Sequence, residues 1–154
     1  MLFNIMIGFL FPWVMGLILY KKDKQVITRA VPFVSVISLI INILGNRYWV
    51  VKPKISSRKL QFLTTMPHNF GYFPILGALM IYWRKKRVFS EKADLFLCTL
   101  LSTFFELIAV AAGRVEYRNG WNIYKTFLSY LFPAYLLYKF NCWRERSTIS
   151  SMNM

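Results

Sequence analysis

Glu106 is the residue whose type and position could most readily carry chemistry in this 154-residue chain. It is the one acidic side chain well inside an apolar stretch, which runs from Leu95 to Gly113. An ionisable group inside a membrane is costly, usually faces other helices and often takes part in proton or ion movement. The neighbours on its helical face are small or polar: Thr99, Ser102, Thr103, Ala109 and Gly113. Such a face favours packing against another helix.

A second apolar stretch carries a matching polar stripe. Its members recur every three or four residues: Ser35, Ser38, Asn42 and Gly45, with Asn46 beside them. At the helical rise per residue, Asn42 and Glu106 both lie roughly 17 Å from the same membrane surface. We therefore expect Glu106 to hydrogen-bond to Asn42 or Asn46, with Arg47 or Arg114 as nearby cations. The candidate intramembrane polar cluster is Glu106, Asn42, Asn46 and Arg47.

This cluster has two possible roles. It can be a structural hydrogen bond between helices, or a proton or cation site built on the Glu106 carboxylate. A transporter usually has a pathway of several polar residues and often an inverted internal repeat. The chain has few intramembrane polar residues and no internal repeat. The structural role is therefore the favoured hypothesis, and transport is the alternative.

The other reactive residue types lack the neighbours that catalysis or metal binding requires. His68 stands alone beside Asn69 and is typical of a polar cap near a span end. Cys98 and Cys142 show no CxxC spacing and no His or carboxylate nearby, so we expect two free thiols. The serines have no nucleophile-elbow context. No catalytic residue, cofactor or metal site is predicted.

The composition places this chemistry in a membrane. Hydrophobic residues make up 56% of the chain and charged residues 17%, whereas soluble domains carry about 25% charge. The formal net charge is +14, which can indicate nucleic-acid binding. The basic residues, however, punctuate apolar stretches and form no continuous stripe. They predict contact with anionic lipid headgroups, and no nucleic-acid partner.

The apolar stretches predict an all-α integral membrane bundle in a single domain, residues 1–154. Five spans are expected, at about 2–20, 30–51, 67–83, 95–113 and 121–140. Each has close to the length that crosses the hydrocarbon core. The fifth is the weakest, because its uncharged part covers only 126–138. Residues 52–66 form a basic connection expected along the interface, with Arg58 and Lys59, and the polar tail 142–154 is expected to be disordered.

Basic residues predict the orientation. With five spans and the N-terminus outside, the inner segments carry 12 Lys and Arg and the outer segments 8. Lys21, Lys22 and Lys24 directly follow the uncharged first span, the reverse of the order in a cleavable signal peptide. Since cytoplasmic loops are enriched in Lys and Arg, the N-terminus is expected outside and the C-terminus inside.

One part of the chain has a recognisable pattern. Glu106 is separated by fourteen residues from Trp121-Asn122, and an aromatic-rich span then ends at Tyr138-Lys139-Phe140 and Trp143. Upstream, Met66-Pro67 leads to a span containing Pro74. These roughly 90 residues resemble a family of small multipass membrane proteins of spore-forming Firmicutes, of the Bacillus and Clostridium type. The resemblance implies a bacterial cytoplasmic-membrane location and assigns no activity.

Together these patterns favour a non-enzymatic multipass protein of the bacterial plasma membrane. Its expected role is structural or accessory within a membrane assembly, with lipid, other membrane proteins or a second copy of itself as partners. The first alternative is a small proton or cation transporter or channel subunit that uses Glu106. A membrane-embedded enzyme acting on lipids is the weakest alternative, because such enzymes usually cluster His, Asp or Glu at the interface.

Overall fold

The computed structural model describes residues 1–55, 57 and 60–152, and the chain is mostly helical over them. The helices are α1 (Leu2–Lys22), α2 (Lys24–Gly45), α3 (Met66–Phe70), α4 (Tyr72–Lys85), α5 (Glu91–Ala111) and α6 (Ile123–Met152). A 3-10 turn covers Gln61–Thr65, and two strands, β1 (Trp49–Val51) and β2 (Val115–Tyr117), complete the fold.

Three of these helices, α1, α2 and α5, are long and apolar enough to cross a membrane. They overlap three of the five predicted spans, and the chain is mostly helical over the described residues, as predicted. The β-branched part of α2 is helical, because a lone strand would leave its backbone groups without partners in lipid.

The predicted third span is interrupted at Gly71, which separates α3 from α4. The cause is a close approach of α1. A Cβ atom at Gly71 would lie 2.2 Å from the carbonyl oxygen of Gly8 and 2.5 Å from the Cα of Phe9. Only glycine permits this backbone contact, so the two helices meet where the predicted span bends.

The fifth predicted span, 121–140, overlaps α6, which begins two residues later and is longer than expected. The prediction that the tail from Cys142 onward is disordered is wrong as far as Met152, because the helix continues to that residue. Side chains in this extension of α6 form contacts within the helix and with α4. Asn141 donates to Glu145 at 2.8 Å, and Glu145 lies 3.5 Å from Arg84 of α4. Polar residues are therefore held in a helix that extends past the apolar core.

The two strands were not predicted. They pair antiparallel in the register Trp49 with Tyr117, Val50 with Glu116 and Val51 with Val115. Each strand follows the end of a long helix, α2 or α5, so the pair joins these ends. We call this end of the bundle the ladder end, and the opposite end, which carries Lys21 to Lys24 and Arg84 to Arg87, the basic end.

The connection 52–66 differs from the expected interfacial segment where the structure describes it. Arg58 and Lys59, which the prediction included, lie outside the described residues. Gln61 and Thr64 are buried, and Gln61 donates to the carbonyl of Val51 at 2.9 Å. Asn4 of α1 donates to the carbonyl of Thr64 at 3.0 Å. This part of the connection therefore packs under the start of α1.

The apolar core lies toward the basic end. Its buried members come from all five long helices: Leu19, Val26, Ile27, Ala30, Ile75, Ala78, Met80, Ile81, Cys98 and Leu137. Helix α4 packs against both α2 and α5, and α5 packs against α6. Helix α4 therefore lies between α2 and α5. This arrangement decides which polar residues meet.

Candidate functional site

Helix α5 carries the polar residues most relevant to function. It begins after Ser90, whose hydroxyl accepts a hydrogen bond from the backbone N–H of Ala93 at 3.3 Å and so caps the helix. Its inward face is polar, and three hydroxyls on it donate to backbone carbonyls four residues earlier: those of Thr99, Ser102 and Thr103. These groups are satisfied within the helix and leave Glu106 to bond with other elements.

Glu106 is held by hydroxyl groups from β2 and α6. Tyr117 donates to one carboxylate oxygen at 2.9 Å, and Tyr130 donates to the other. The hydroxyl of Thr126 has one proton and lies 3.3 Å from Glu106 and 2.9 Å from Tyr117. It also accepts from the indole N–H of Trp121 at 2.8 Å. We call Glu106, Tyr117, Thr126 and Tyr130 the carboxylate cluster.

A second polar cluster joins α2 to α3 and β1. The amide of Asn42 donates to the side-chain oxygen of Asn69 at 2.7 Å and to the carbonyl of Ser38 at 3.0 Å. Its own oxygen accepts from the indole N–H of Trp49 at 3.2 Å. Asn69 is fully buried, and its amide donates to Thr65 at 3.4 Å. We call Asn42, Asn69 and Trp49 the amide cluster.

Of the two predicted partners of Glu106, Asn42 forms its hydrogen bonds with other groups within the described part of the chain, and the bond to Asn46 stays a prediction. The physical reason is the position of α4 between α2 and α5. Arg47 and Arg114 also have other neighbours. Their guanidinium carbons lie 4.7 Å from the ring centre of Tyr48 and 4.2 Å from that of Phe3. Asn46 lies at the C-terminal end of α2.

A cavity of about 520 Å³ separates the two clusters, and both Glu106 and Asn42 line it. Its wall is mainly apolar and comes from all five long helices. His68 also lines it, with its ring against α1, since a Cβ atom at Gly8 would lie 2.9 Å from the imidazole. Sequence reasoning treated His68 as a cap and did not predict a cavity.

Asp94 lies in the first turn of α5, near the positive N-terminal end of the helix. Its side chain is 2% exposed, and neither carboxylate oxygen has a hydrogen-bond partner among the described residues. The nearby cation Arg84 instead lies 3.6 Å from Glu91 and 3.5 Å from Glu145. The sequence spacing indicates that Asp94 shares a helical face with Glu106, since Asp94, Cys98, Ser102 and Glu106 recur every four residues.

Among the described residues, the ion pairs outside the apolar core lie mainly at the basic end. Asp23, between α1 and α2, accepts a hydrogen bond from Lys85 at the end of α4. That bond is the main reason why the pKa of the Asp23 carboxyl is held below its usual range, although partial burial opposes the effect. At the ladder end, the hydrogen bond from Arg118 lowers the pKa of Glu116 in the same way.

Both cysteines are free thiols, Cys98 buried and Cys142 half-buried. Over the part of the chain that the structure describes, no group of three or more His, Cys, Asp or Glu side chains could hold a metal ion. No protein-family model, curated protein or solved structure matches this chain.

Proposed function

We propose that this chain is a five-span structural or accessory component of a bacterial plasma-membrane assembly. The observation that carries the proposal is the hydrogen bonding of the Glu106 carboxylate. Both of its carboxylate oxygens accept hydrogen bonds from hydroxyls on other elements. A carboxylate held by several donors ties α5, β2 and α6 together, as interhelical polar bonds do in membranes.

Five spans are compatible with the helix lengths. Helices α3 and α4 together cover residues 66–85, and α6 extends over 30 residues. A helix of 20 residues is about 30 Å long, the thickness of the hydrocarbon core. Two features weaken the apolar signal of these segments, the break at Gly71 and the polar second half of α6.

The orientation proposed is N-terminus outside and C-terminus inside. The uncharged start of α1 lies at the ladder end. The basic end gathers Lys21, Lys22 and Lys24 with the cluster from Arg84 to Arg87, and contact with anionic headgroups stabilises each such residue by about 1 kcal/mol. The same asymmetry underlies the positive-inside rule.

Cysteine labelling in intact cells tests this orientation. A chain with Cys98 and Cys142 replaced by serine would carry either Lys86→Cys at the basic end or Lys54→Cys at the ladder end. Both positions are exposed. We expect an impermeant maleimide to label Lys54→Cys and to reach Lys86→Cys only after the cells are permeabilised. Labelling of Lys86→Cys in intact cells would refute the orientation.

The outward faces of the helices fit lipid, another membrane protein or a second copy of the chain. Large apolar side chains are exposed along α1 and α5, among them Phe11, Leu17, Phe96 and Phe104, which are 69%, 58%, 53% and 55% exposed. Such faces can contact lipid chains in a bilayer, and they also suit an accessory subunit that packs beside other spans.

Proton or cation transport is the second candidate, and one observation favours it. Asp94 and Glu106 occupy the two ends of a polar face on α5, and the cavity borders the part between Cys98 and Glu106. A pH-gradient assay in proteoliposomes separates the two proposals. The structural role predicts no flux in the native protein. Flux that is present in the native protein and lost in Glu106→Gln would favour transport, because an amide cannot release a proton.

A further inference from the structure

We propose that the central cavity binds a single-chain anionic amphiphile, with its chain inside the bundle and its head group at Arg114. This site goes beyond the structural role proposed above. The shared chemistry is one long apolar chain carrying a carboxylate or phosphate. A free fatty acid and a lysophospholipid both present it.

The cavity suits an apolar chain. Its volume of about 520 Å³ lies within the 300–1,000 Å³ typical of small-molecule sites. The wall is mainly apolar and includes Ile7, Met15, Leu76 and Ala109. The Glu106 and Asn42 side chains in the wall are hydrogen-bonded, whereas Nδ1 of His68 and the hydroxyl of Tyr72 have no partner among the described residues. Because apolar surface dominates the wall, burying an alkyl chain against it is favourable.

The cavity reaches the surface at the ladder end, where it is bordered by Phe3 and Arg114. Both residues are exposed. Single chains in the adjacent membrane leaflet can therefore enter with the head group remaining near the interface. The apolar cavity matches the alkyl chain of an anionic amphiphile, and the cationic rim matches its head group.

Arg114 is fixed in place at this rim. Its backbone N–H donates to the carbonyl of Ala109 at 2.8 Å, and its carbonyl accepts from the N–H of Lys52 at 2.9 Å. The guanidinium carbon lies 4.2 Å from the ring centre of Phe3, a cation–π contact. A side chain held at both its backbone and its head loses less entropy on binding.

The donors of Arg114 are available. Among the described residues, no acidic side chain forms an ion pair with it, whereas Arg84, Arg118 and Lys85 all have carboxylate partners. A guanidinium binds carboxylate and phosphate through two parallel hydrogen bonds, which a lysine cannot reproduce. An anionic head group can therefore accept these paired hydrogen bonds from Arg114, whereas a neutral or cationic head group lacks the matching charge.

The test uses the full chain in nanodiscs of zwitterionic lipid, with radiolabelled oleate and 1-oleoyl-lysophosphatidate as probes and oleyl alcohol as the neutral comparison. We expect saturable binding of one anionic probe per chain, weakening as salt increases. The tighter of the two probes identifies the source of the ligand. Oleyl alcohol should bind at least about tenfold more weakly, since a charge-assisted hydrogen bond is lost.

Two matched pairs of variants locate the site. Arg114→Gln should weaken binding of the anionic probes about tenfold or more and leave oleyl alcohol unchanged, whereas Lys54→Gln, on the same side, should change neither. Ala109→Phe fills the cavity and should abolish binding of all three, whereas Ala111→Phe on the exposed face should not. Should Ala109→Phe fail to fold by circular dichroism, Ala134→Leu tests the same wall.

The proposal fails if oleate, lysophosphatidate and oleyl alcohol bind equally, or if Arg114→Gln has the affinity of the native protein. It also fails if filling the cavity has no more effect than the exposed control. Each result is independent of the labelling and flux experiments, because binding is measured directly.

Discussion

The carboxylate cluster and the amide cluster lie toward the same end of the molecule but hold it together in different ways. In the amide cluster, Asn42 and Asn69 each donate and accept, so every bond is between neutral groups. In the carboxylate cluster, Glu106 only accepts, and its donors are hydroxyls rather than a cation. A buried amide pair is costly to break, whereas a buried carboxylate is costly to keep. Loss of the hydrogen-bonding side chain should therefore destabilise either cluster, whereas removal of the charge alone should not destabilise the carboxylate cluster.

The largest effect is expected at the amide cluster. Asn69→Ala should lower the free energy of unfolding by about 1–3 kcal/mol, because the amide of Asn42 loses its buried partner and a void forms. Unfolding in detergent by titration with a denaturing surfactant measures this change. A double-mutant cycle with Asn42→Ala should be strongly non-additive. Additive effects would show that the 2.7 Å bond between the two amides contributes nothing of its own.

At the carboxylate cluster the charge can be separated from the hydrogen bonds. Glu106→Ala should lower the free energy of unfolding by about 0.6–2 kcal/mol, the range for interhelical polar contacts. Glu106→Gln should keep or raise stability, because the amide retains an acceptor and removes a buried charge, and hydroxyls can accept its N–H. The same surfactant titration decides the point. If Gln destabilised the protein as much as Ala, the charge itself would hold the cluster, contrary to the comparison.

The smallest effect is expected for a carboxylate outside the membrane layer. Because Lys85 lowers the pKa of Asp23, the pair stabilises the fold above the unfolded value of 3.8. That contribution is lost as the pH falls through the lower folded value. It should stay below about 1 kcal/mol, since Lys85 is half-exposed. Thermal unfolding at pH 6 and at lower pH measures it, with Asp23→Asn as the control. An unchanged pH dependence in that variant would exclude Asp23 as the source.

The sequence allowed the helices α1, α2 and α5, their apolar character and the polar face around Glu106 to be predicted, because each depends on local pattern. It did not allow the partners of Glu106 to be predicted. The depth argument for Asn42 measured position along the membrane normal only, and two helices at equal depth need not be adjacent. Tyr117 and Tyr130, which no sequence pattern connected with Glu106, donate hydrogen bonds to its carboxylate.

Apolar length and the placement of basic residues are properties of the chain itself, so the sequence alone determined that the protein has helices long and apolar enough to cross a membrane and a basic end. Tertiary structure decided the rest. The close approach of Gly8 and Gly71 lies at the break between α3 and α4, and the position of α4 keeps α2 and α5 apart. Pairing of β1 with β2 then brings Tyr117 to Glu106. Lateral neighbours in a bundle are chosen by side-chain packing between helices, and no periodicity within one helix records that choice.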